Sequence, residues 1–245
     1  MYYLNEKSIT ELKNQINLEF DKIYSSNLLN IKRKEDYSLI TDLDISISKL
    51  IKEYFKGFTE LTFFSEEENS GLRFPCIILD PIDGTRDLSK GYRECCVSLA
   101  IVKNENLDGE AWIYNPLTGF SLSTNDKFIG EMKRVSAPYL GMTSRSEYEK
   151  GMHDHYKTDQ FKLMPRGSIA FKLGLLAAGA CDFVFTSHGK SLWDIAAGII
   201  LCRKRGIECY QKNINIKRFN EEKYEGPILW SHPEIYKNIN EILSP

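Results

Sequence analysis

The most informative stretch of this sequence is Leu79-Asp80-Pro81-Ile82-Asp83-Gly84-Thr85. An apolar run precedes it and predicts a strand that ends at the first aspartate. The proline stiffens the turn that follows, and the glycine permits backbone angles that other residues avoid. The second aspartate comes three residues after the first, and two carboxylates on one tight turn repel each other unless a cation lies between them. Oxygen ligands of this kind suit a hard ion such as Mg²⁺.

The chain is expected to enter a helix after Thr85. The first backbone N–H groups of that helix would face the same point, which favours an anionic phosphate there. Considered alone, the segment is also explained by an ordinary Asp-Gly turn that binds nothing.

Carboxylates elsewhere in the chain occupy similar positions. Glu66 follows a predicted strand, and Asp194 opens a predicted helix at residues 191–204. Asp42 and Asp44 lie at the start of another predicted helix. Each has a structural alternative, because an isolated aspartate often only caps a helix and the others suit solvated turns or first-turn positions.

Hydrophobic periodicity divides the chain into two styles of structure. Two amphipathic helices, at residues 6–26 and around 43–54, precede an antiparallel meander, and the second half alternates strands and helices. The remaining predicted strands are 61–64, 74–79, 96–102, 110–114, 120–123, 140–143, 181–186 and 227–230, and the remaining predicted helices are 168–178, 191–204 and 233–243. We therefore expect an α+β half at residues 1–135 that carries the metal-binding turn, and an α/β half at residues 136–245, closely packed as one unit.

Composition excludes several classes of protein. The 245 residues are 42% hydrophobic and 27% charged, with a net charge of −2, which gives no electrostatic pull toward nucleic acid or an anionic membrane. No window approaches the roughly 18 apolar residues of a membrane span, and the polar N-terminus lacks the apolar core of a secretory signal. Six cysteines without CxxC spacing indicate free thiols in a reducing compartment. We therefore expect a cytoplasmic protein with no nucleic-acid or membrane partner.

Five segments together resemble the motifs of the inositol monophosphatase superfamily, which also contains fructose-1,6-bisphosphatases and 3'(2'),5'-bisphosphate nucleotidases. They occur in the family's order and span residues 34–198. The segments are Lys34–Asp44 for K-x-D-x-S-x-V-T-x-A-D, Ser65-Glu66-Glu67 for G/S-E-E, Asp80–Thr85 for D-P-I/L-D-G-T, Gly167–Ala170 for G-S-x-A, and Trp193–Gly198 for W-D-x-A-A-G. The chain departs from the pattern at Asp42, where the family usually has a small apolar residue.

The resemblance implies a fold and a set of metal ligands. The fold is a mixed α+β and α/β chain arranged as a layered α-β-α-β-α sandwich. The cofactor is Mg²⁺, as two or three ions. Glu66, Asp80 and the carbonyl of Ile82 would hold the first ion, and Asp80, Asp83 and Asp194 would hold the second.

The resemblance also implies catalytic roles. Thr85, hydrogen-bonded to Asp44, would orient and help deprotonate the attacking water, and Glu66 is counted with them as catalytic. The backbone amides of Gly84 and Thr85 would grip the phosphate. Family members are often homodimers and often inhibited by lithium, and both properties are expectations here.

The substrate class is less clearly marked. Ser65, the residues Arg86-Asp87-Leu88 after the D-G-T triplet, and the run Thr143–Ser146 resemble the bisphosphate nucleotidases. The spacing from Gly167 to Gly179 is instead more similar to the inositol phosphatases. Candidate substrate contacts are Gly84, Thr85, Ser168, Lys190 and Arg145, and solvated positions are the alternative for Lys190 and Arg145.

The expected function is Mg²⁺-dependent hydrolysis of a phosphate monoester on a small metabolite. A 3'(2'),5'-bisphosphate nucleotide is the first candidate substrate, and an inositol or sugar phosphate is the second. A weakly catalytic relative that binds a phosphorylated ligand is another interpretation, which the complete carboxylate set argues against. His153 and His155 are expected on the surface rather than at a zinc site.

Overall fold

A computed structural model describes residues 3–24, 30–34, 39–68, 71–127, 136–156 and 159–243. Three predictions fall outside the described residues: the end of the first helix at residues 25–26, the segment 35–38 of the opening motif, and the boundary near residue 135. His155 is described by its backbone alone.

The described residues form helices, strands and one short 3₁₀ turn at Asp154–Tyr156. The helices are α1 (Glu6–Ile23), α2 (Asp42–Phe55), α3 (Thr85–Ser89), α4 (Arg145–Glu149), α5 (Ile169–Ala177), α6 (Leu192–Arg203) and α7 (Pro233–Leu243). The strands are β1 (Ile31–Arg33), β2 (Leu39–Thr41), β3 (Thr62–Ser65), β4 (Cys76–Asp83), β5 (Cys96–Val102), β6 (Gly109–Tyr114), β7 (Ser121–Ser123), β8 (Tyr139–Ser144), β9 (Phe161–Arg166), β10 (Phe183–Thr186), β11 (Lys190–Ser191), β12 (Glu208–Gln211), β13 (Ile214–Asn215), β14 (Lys223–Tyr224) and β15 (Ile228–Ser231). In this described part of the chain, every helix is too short or too polar to cross a bilayer.

The first sheet has the strand order β3-β4-β5-β6-β7. β3 runs parallel to β4, and β4 to β7 form the antiparallel meander that the sequence predicts. Side chains alternate along β4, so Ile77 and Leu79 pack with the apolar faces of α1 and α2 while Ile78 points to the other side. The two N-terminal helices therefore cover one face of this sheet.

The second sheet has the order β13-β12-β15-β10-β8-β9, with β8 parallel to both of its neighbours. α5 and α6 lie between the two sheets, since their apolar side chains form one cluster with Ile78 of the first sheet and Trp230 of the second. α7 covers the outer face through Ile235 and Ile239, which pack with Phe183. The layers follow the order α-β-α-β-α, which confirms the predicted fold.

The sequence did not predict three strands of the second sheet, β9, β12 and β13. β9 contains Pro165, which cannot donate to a strand ladder and argues against a central strand. The strand lies at the edge of the sheet, where that missing donor is tolerated. The pairing of β9 with β8 is thus a property of its position in the sheet, which local sequence does not reveal.

The two central helices approach closely at Gly198 of α6. A Cβ atom at that position would lie 2.4 Å from Cβ of Leu173 on α5 and 2.5 Å from its Cδ1. Protein interiors pack as densely as organic crystals, so the neighbouring layers leave little room to separate. Gly198 therefore sets the distance between α5 and α6, and with it the position of the N-terminal end of α6.

We expect Gly198→Ala to lower the free energy of unfolding by about 1–3 kcal/mol, because overpacking outweighs the helix-propensity gain of alanine. Urea denaturation of the wild type and the variant measures this difference in the free energy of unfolding. Gly57→Ala is the matched control, since a Cβ at Gly57 meets no atom within 4 Å, and it should change stability by less than about 1 kcal/mol. Equal stability of the two variants would contradict the close approach of α5 and α6.

Candidate metal centre

Strand β4 does not end at Asp80, as the sequence predicted, but continues to Asp83 through a β-bulge. Asp80 pairs with Ser98 and Asp83 pairs with Cys96, so three steps along β4 match two steps along β5. Without the extra residue the two aspartates would point to opposite faces, because side chains alternate along a strand. Pro81 lies in the bulge, where its missing N–H is tolerated. The irregularity therefore turns both carboxylates toward the central helices.

Glu66 reaches the same place from β3. Ser65 at the end of β3 pairs with Leu79, and the backbone N–H of Glu66 donates to the carbonyl oxygen of Leu79 at 3.2 Å. This parallel register places Glu66 beside Asp80. One oxygen of Glu66 accepts a hydrogen bond from Nζ of Lys34 at 2.9 Å.

Asp194 comes to the site from the N-terminus of α6. Ser191 is the N-cap of this helix, and Asp194 accepts its backbone N–H at 3.0 Å in a capping box. Asp194 therefore has the capping role that the sequence suggested, and its carboxylate still reaches Asp80 and Asp83. One carboxylate oxygen each of Asp80, Asp83 and Asp194 lies within 4.8 Å of the others.

Mutual repulsion dominates the electrostatics of these groups. Burial, followed by the charges of Glu66 and Asp83, raises the pKa of Asp80 well above its ordinary value. Burial and the neighbouring Asp83 raise the pKa of Asp194 to about 8, although Lys190 opposes the shift. Burial also raises the pKa of Glu66 to about 7. These carboxyl groups cannot all be ionised at neutral pH unless a cation offsets their charge.

The donor set fits a magnesium centre. The side chains that converge are all carboxylates, which hard divalent cations prefer as ligands, and a divalent charge offsets the repulsion that raises their pKa values. Asp80, Asp83 and Asp194 are the residues that would hold the ion, with Glu66 adjacent to Asp80.

Thr85 and Asp44 form the hydrogen bond that the resemblance implied. Oγ1 of Thr85 lies 3.1 Å from Oδ1 of Asp44 and 2.8 Å from the carbonyl oxygen of Ile82. Asp44 is buried in the first turn of α2, where its other oxygen accepts the backbone N–H of Thr41 at 2.7 Å. Burial raises the pKa of Asp44 to about 6, although the hydrogen bonds from Thr41 act against the rise. The Ile82 carbonyl keeps a second lone pair for a further partner.

Gly84 and Ser168 shape the space beside the carboxylates. Gly84 has a φ of 98°, and a Cβ there would lie 2.6 Å from the carbonyl oxygen of Glu94, so only glycine fits. Ser168 caps α5, where its hydroxyl accepts the N–H of Phe171 at 2.9 Å. The same hydroxyl donates to Oδ2 of Asp83 at 2.6 Å. Ser168 thus holds a metal-site carboxylate as well as bordering the space for a substrate.

A cavity opens in front of the carboxylates. It encloses about 770 Å³, including space continuous with solvent. Asp83 and Asp194 line one end of it, which we call the floor. Gly84 and Ser168 also border it. Six basic side chains line the same cavity: Arg86, Lys90, Arg145, Arg166, Lys172 and Lys190. Asp87 and Glu149 also line it, so the walls are mixed in charge with basic side chains in excess. This excess suits a ligand that carries more than one anionic group.

The two predicted basic contacts differ in their surroundings. Arg145 donates to Glu94 at 2.5 Å and lies 4.4 Å from the ring centre of Tyr92, so much of its bonding capacity is used within the protein. Lys190 is half-buried, and its charge opposes the rise in the pKa of Asp194 that burial causes. Lys190 therefore lies nearer to the carboxylate end of the cavity and is the stronger candidate for an anion contact.

Sequence reasoning missed two cations, Lys34 and Lys172. Lys172 is 3% exposed, and its Nζ donates to the carbonyl oxygens of Arg166 at 3.1 Å and Gly167 at 3.3 Å. Burial lowers its pKa to about 8. A lysine inside the otherwise apolar helix α5 was the available signal, because buried lysines are rare unless paired. Lys34 belongs to a short basic run that the sequence pattern places on a solvated face, but it is half-buried and its Nζ donates to Glu66.

His153 is 5% exposed rather than on the surface, as the sequence analysis expected. Its Nε2 lies 2.8 Å from the hydroxyl of Thr143 and 3.2 Å from Oε2 of Glu147. Its ring also packs against Tyr156 with centroids 5.9 Å apart. The wrong expectation arose because the contacts that bury the histidine come from residues that the local sequence pattern does not connect with it.

The layered fold and the carboxylate group define the class as metal-dependent phosphatases. A model of the inositol monophosphatase family matches residues 6–223. The chain belongs to this family of magnesium-dependent phosphatases, and the resemblance inferred from its motifs is confirmed.

Individual relatives support the assignment at low identity. Nus factor SuhB of Xylella fastidiosa is 26% identical over 213 residues, which cover 79% of this chain and 77% of that protein. The 3'(2'),5'-bisphosphate nucleotidase CysQ of Buchnera aphidicola is 26% identical over 195 residues, which cover 72% of this chain and 73% of that protein. The crystal structure of an IMPase/NADP phosphatase with Mg²⁺ and phosphate matches with a TM-score of 0.77 at 17% identity, over 98% of this chain and 94% of that one. This last similarity shows the fold.

The pKa shifts predict that Mg²⁺ stabilises the protein more at high pH than at low pH. Because Asp44, Glu66 and Asp194 have folded-state pKa values above their ordinary ones, the stability that their protons confer is complete below about pH 4. It is lost as pH rises through about 6 to 8. Magnesium binds the deprotonated groups, so its stabilising effect grows over the same range.

Thermal melts in EDTA and in millimolar Mg²⁺, at pH values from about 5 to 8.5, measure this effect. We expect the melting temperature in EDTA to fall with pH and the increment from Mg²⁺ to rise by several degrees. The control is a melt in which sodium chloride replaces the magnesium salt at the same ionic strength. A magnesium increment that is constant or decreasing with pH would show that these carboxylates do not bind the ion.

Proposed function

We propose that this protein hydrolyses a phosphate monoester on a small metabolite that carries a second anionic group, with 3'(2'),5'-bisphosphate nucleotides as the leading substrates. The observation that carries the proposal is the cavity itself. Asp83 and Asp194 form its floor, an oxygen of Asp80 lies within 4.8 Å of theirs, and basic side chains line its walls.

A phosphate dianion cannot approach this floor by itself. The carboxylates already repel one another strongly enough to raise the pKa values of Asp80 and Asp194, and a phosphate would add two further negative charges. Magnesium, when bound, supplies the positive charge and lowers the pKa of a coordinated water. The proposal therefore requires two or three ions at turnover, since one divalent charge does not offset the whole group.

The residues of the chain contribute proton handling and positioning. The hydroxyl of Thr85 has one proton and two acceptors within reach, Asp44 and the carbonyl of Ile82. Its lone pairs can accept a hydrogen bond from the attacking water while its own proton points to Asp44. The raised pKa of Asp44, about 6, makes this carboxylate a better proton acceptor near neutral pH than an ordinary aspartate.

The walls of the cavity favour a substrate with two anionic groups. Lys190 is the half-buried ammonium beside Asp194, so it can reach an anion that is attached to the same molecule as the reacting phosphate. The similarity to the nucleotidase of Buchnera aphidicola supports this choice. An inositol 1-phosphate or a sugar phosphate is the alternative substrate, and membership of the inositol monophosphatase family supports it.

The test of the proposed reaction is phosphate release with Mg²⁺ from adenosine 3',5'-bisphosphate, inositol 1-phosphate and fructose 1,6-bisphosphate. We expect Asp80→Asn and Asp194→Asn to reduce kcat on the best substrate by at least about 10²-fold, because each removes charge where the ions bind. Far-UV circular dichroism should be unchanged. Asp159→Asn, an exposed aspartate on the same half of the chain, is the charge-matched control. Near-normal turnover in Asp194→Asn would refute the proposed reaction.

A second prediction concerns the substrate class. Lys190→Met should raise KM for adenosine 3',5'-bisphosphate by about 10-fold or more, since a hydrogen bond to a charged group contributes about 1.5–3 kcal/mol. KM for inositol 1-phosphate should change by less than about twofold, because that ester has no second phosphate for the lysine. Lys162→Met, an exposed lysine of β9, is the control. Equal rises in KM for both esters would show that Lys190 contacts a group common to both, and would contradict its proposed contact with a second phosphate.

A further inference from the structure

Glu147 lies in α4 on the outside of the cavity wall, yet it is 2% exposed. It is not one of the carboxylates that converge near Asp80. A buried carboxylate is unfavourable unless hydrogen bonds stabilise its charge. The number and origin of the donors that surround Glu147 therefore identify what this residue does.

Four of the donors come from one short segment. Oε1 of Glu147 accepts from the hydroxyl of Thr186 at 3.0 Å, from the backbone N–H of His188 at 3.2 Å and from Nδ1 of the same histidine at 2.7 Å. Oε2 accepts from the backbone N–H of Ser187 at 3.1 Å. The carboxylate thus holds three consecutive residues at the end of β10.

A fifth contact joins Glu147 to the second sheet. Nε2 of His153 lies 3.2 Å from Oε2 of Glu147 and 2.8 Å from the hydroxyl of Thr143 on β8. Burial alone would raise the pKa of Glu147, but the hydrogen bonds from His153, Ser187 and the neighbouring donors lower it far below the ordinary value. The carboxyl group of Glu147 is therefore an anion at physiological pH.

The segments joined by Glu147 both form the wall of the cavity. On its own helix, the neighbours Arg145 and Ser146 line the cavity, and on the other segment Thr186 and Lys190 line it. Lys190 follows His188 by two positions and pairs with Tyr224 in the β11–β14 ladder, so the held residues limit where its chain can lie. On its far side the segment is limited by a close approach, since a Cβ on Gly226 would lie 2.1 Å from the carbonyl oxygen of Ser187.

We propose that Glu147 is a positioning residue for substrate recognition: acting through His188, it fixes the 186–190 segment and so sets where the Lys190 ammonium meets the second anion of the substrate. This inference rests on the proposed function. It assigns Glu147 and His188 to recognition of the non-reacting part of the substrate and leaves the hydrolytic step to the carboxylate floor.

His188→Ala is the primary test, because His188 is exposed and its removal leaves the backbone bonds to Glu147 in place. We expect KM for adenosine 3',5'-bisphosphate to rise about fivefold to tenfold while kcat changes by less than about twofold. His188→Asn should restore most of the affinity, since its Nδ2 can donate from nearly the position of the histidine Nδ1. Glu147→Gln should show the same split with a larger rise in KM, because an amide NH₂ faces donors that need an acceptor.

Three further measurements separate this inference from a structural effect. His232→Ala, a second histidine of the same half of the chain, should leave KM unchanged. In Lys190→Met, addition of His188→Ala should raise KM by less than about twofold, because the two residues act on one contact. Inositol 1-phosphate, where it is a substrate, should show unchanged KM in His188→Ala.

The outcomes distinguish the inference from the proposed function. If the wild-type protein releases no phosphate from any of the esters, the proposed function fails and the inference fails with it. If the wild type is active but His188→Ala has a normal KM, or its effect multiplies fully with that of Lys190→Met, the inference alone is overturned. A fall in kcat at unchanged KM would likewise overturn it, because that result would place Glu147 in the hydrolytic step.

Discussion

Repulsion among buried carboxylates around Asp80 is the constraint on which the rest of this molecule depends. Asp80 is 2% exposed and feels the charges of Glu66, Asp83, Asp194 and Asp44. Such a group destabilises a fold unless protons or cations offset it. Asp80 lies on β4, where the first sheet faces the N-terminal end of α6, and at neutral pH a bound cation is what allows these carboxyl groups to be ionised together.

Each carboxylate is held by an interaction that also builds local structure. Asp194 and Asp44 accept backbone N–H groups in the first turns of α6 and α2, and Asp83 accepts from Ser168 and the backbone N–H of Ala170 in α5. Because one oxygen of each is fixed to a helix N-terminus, the orientation of the other is limited. Capping a helix and binding a cation are thus compatible roles for these aspartates, because a carboxylate has two oxygens.

The sequence was sufficient for the layers and for the identity of the acidic residues, because these depend on periodicity and on short motifs. It was insufficient where the geometry depends on pairing between distant segments. The bulge at Asp80–Asp83 is one example, since only the register with β5 shows that both aspartates face the same side. His153 is another, because Thr143 and Glu147 bury it through tertiary contacts. Lys172 could have been found from its sequence position, as a charge within an apolar helix.

The carboxylates and the basic walls of the cavity are held by different residues. Asp44, Asp83 and Asp194 accept backbone N–H groups at three helix N-termini, and Asp83 also accepts from the hydroxyl of Ser168. The walls are fixed by Glu94, which accepts from Arg145, and by Glu147, which accepts from both the backbone and the side chains of residues 186–188. A substitution in the wall can therefore change which anion is bound while the carboxylates keep their positions. The carboxylates are thus separate from the residues that would contact the rest of a ligand, so substitutions in the walls are the sharpest test of the proposed substrate class.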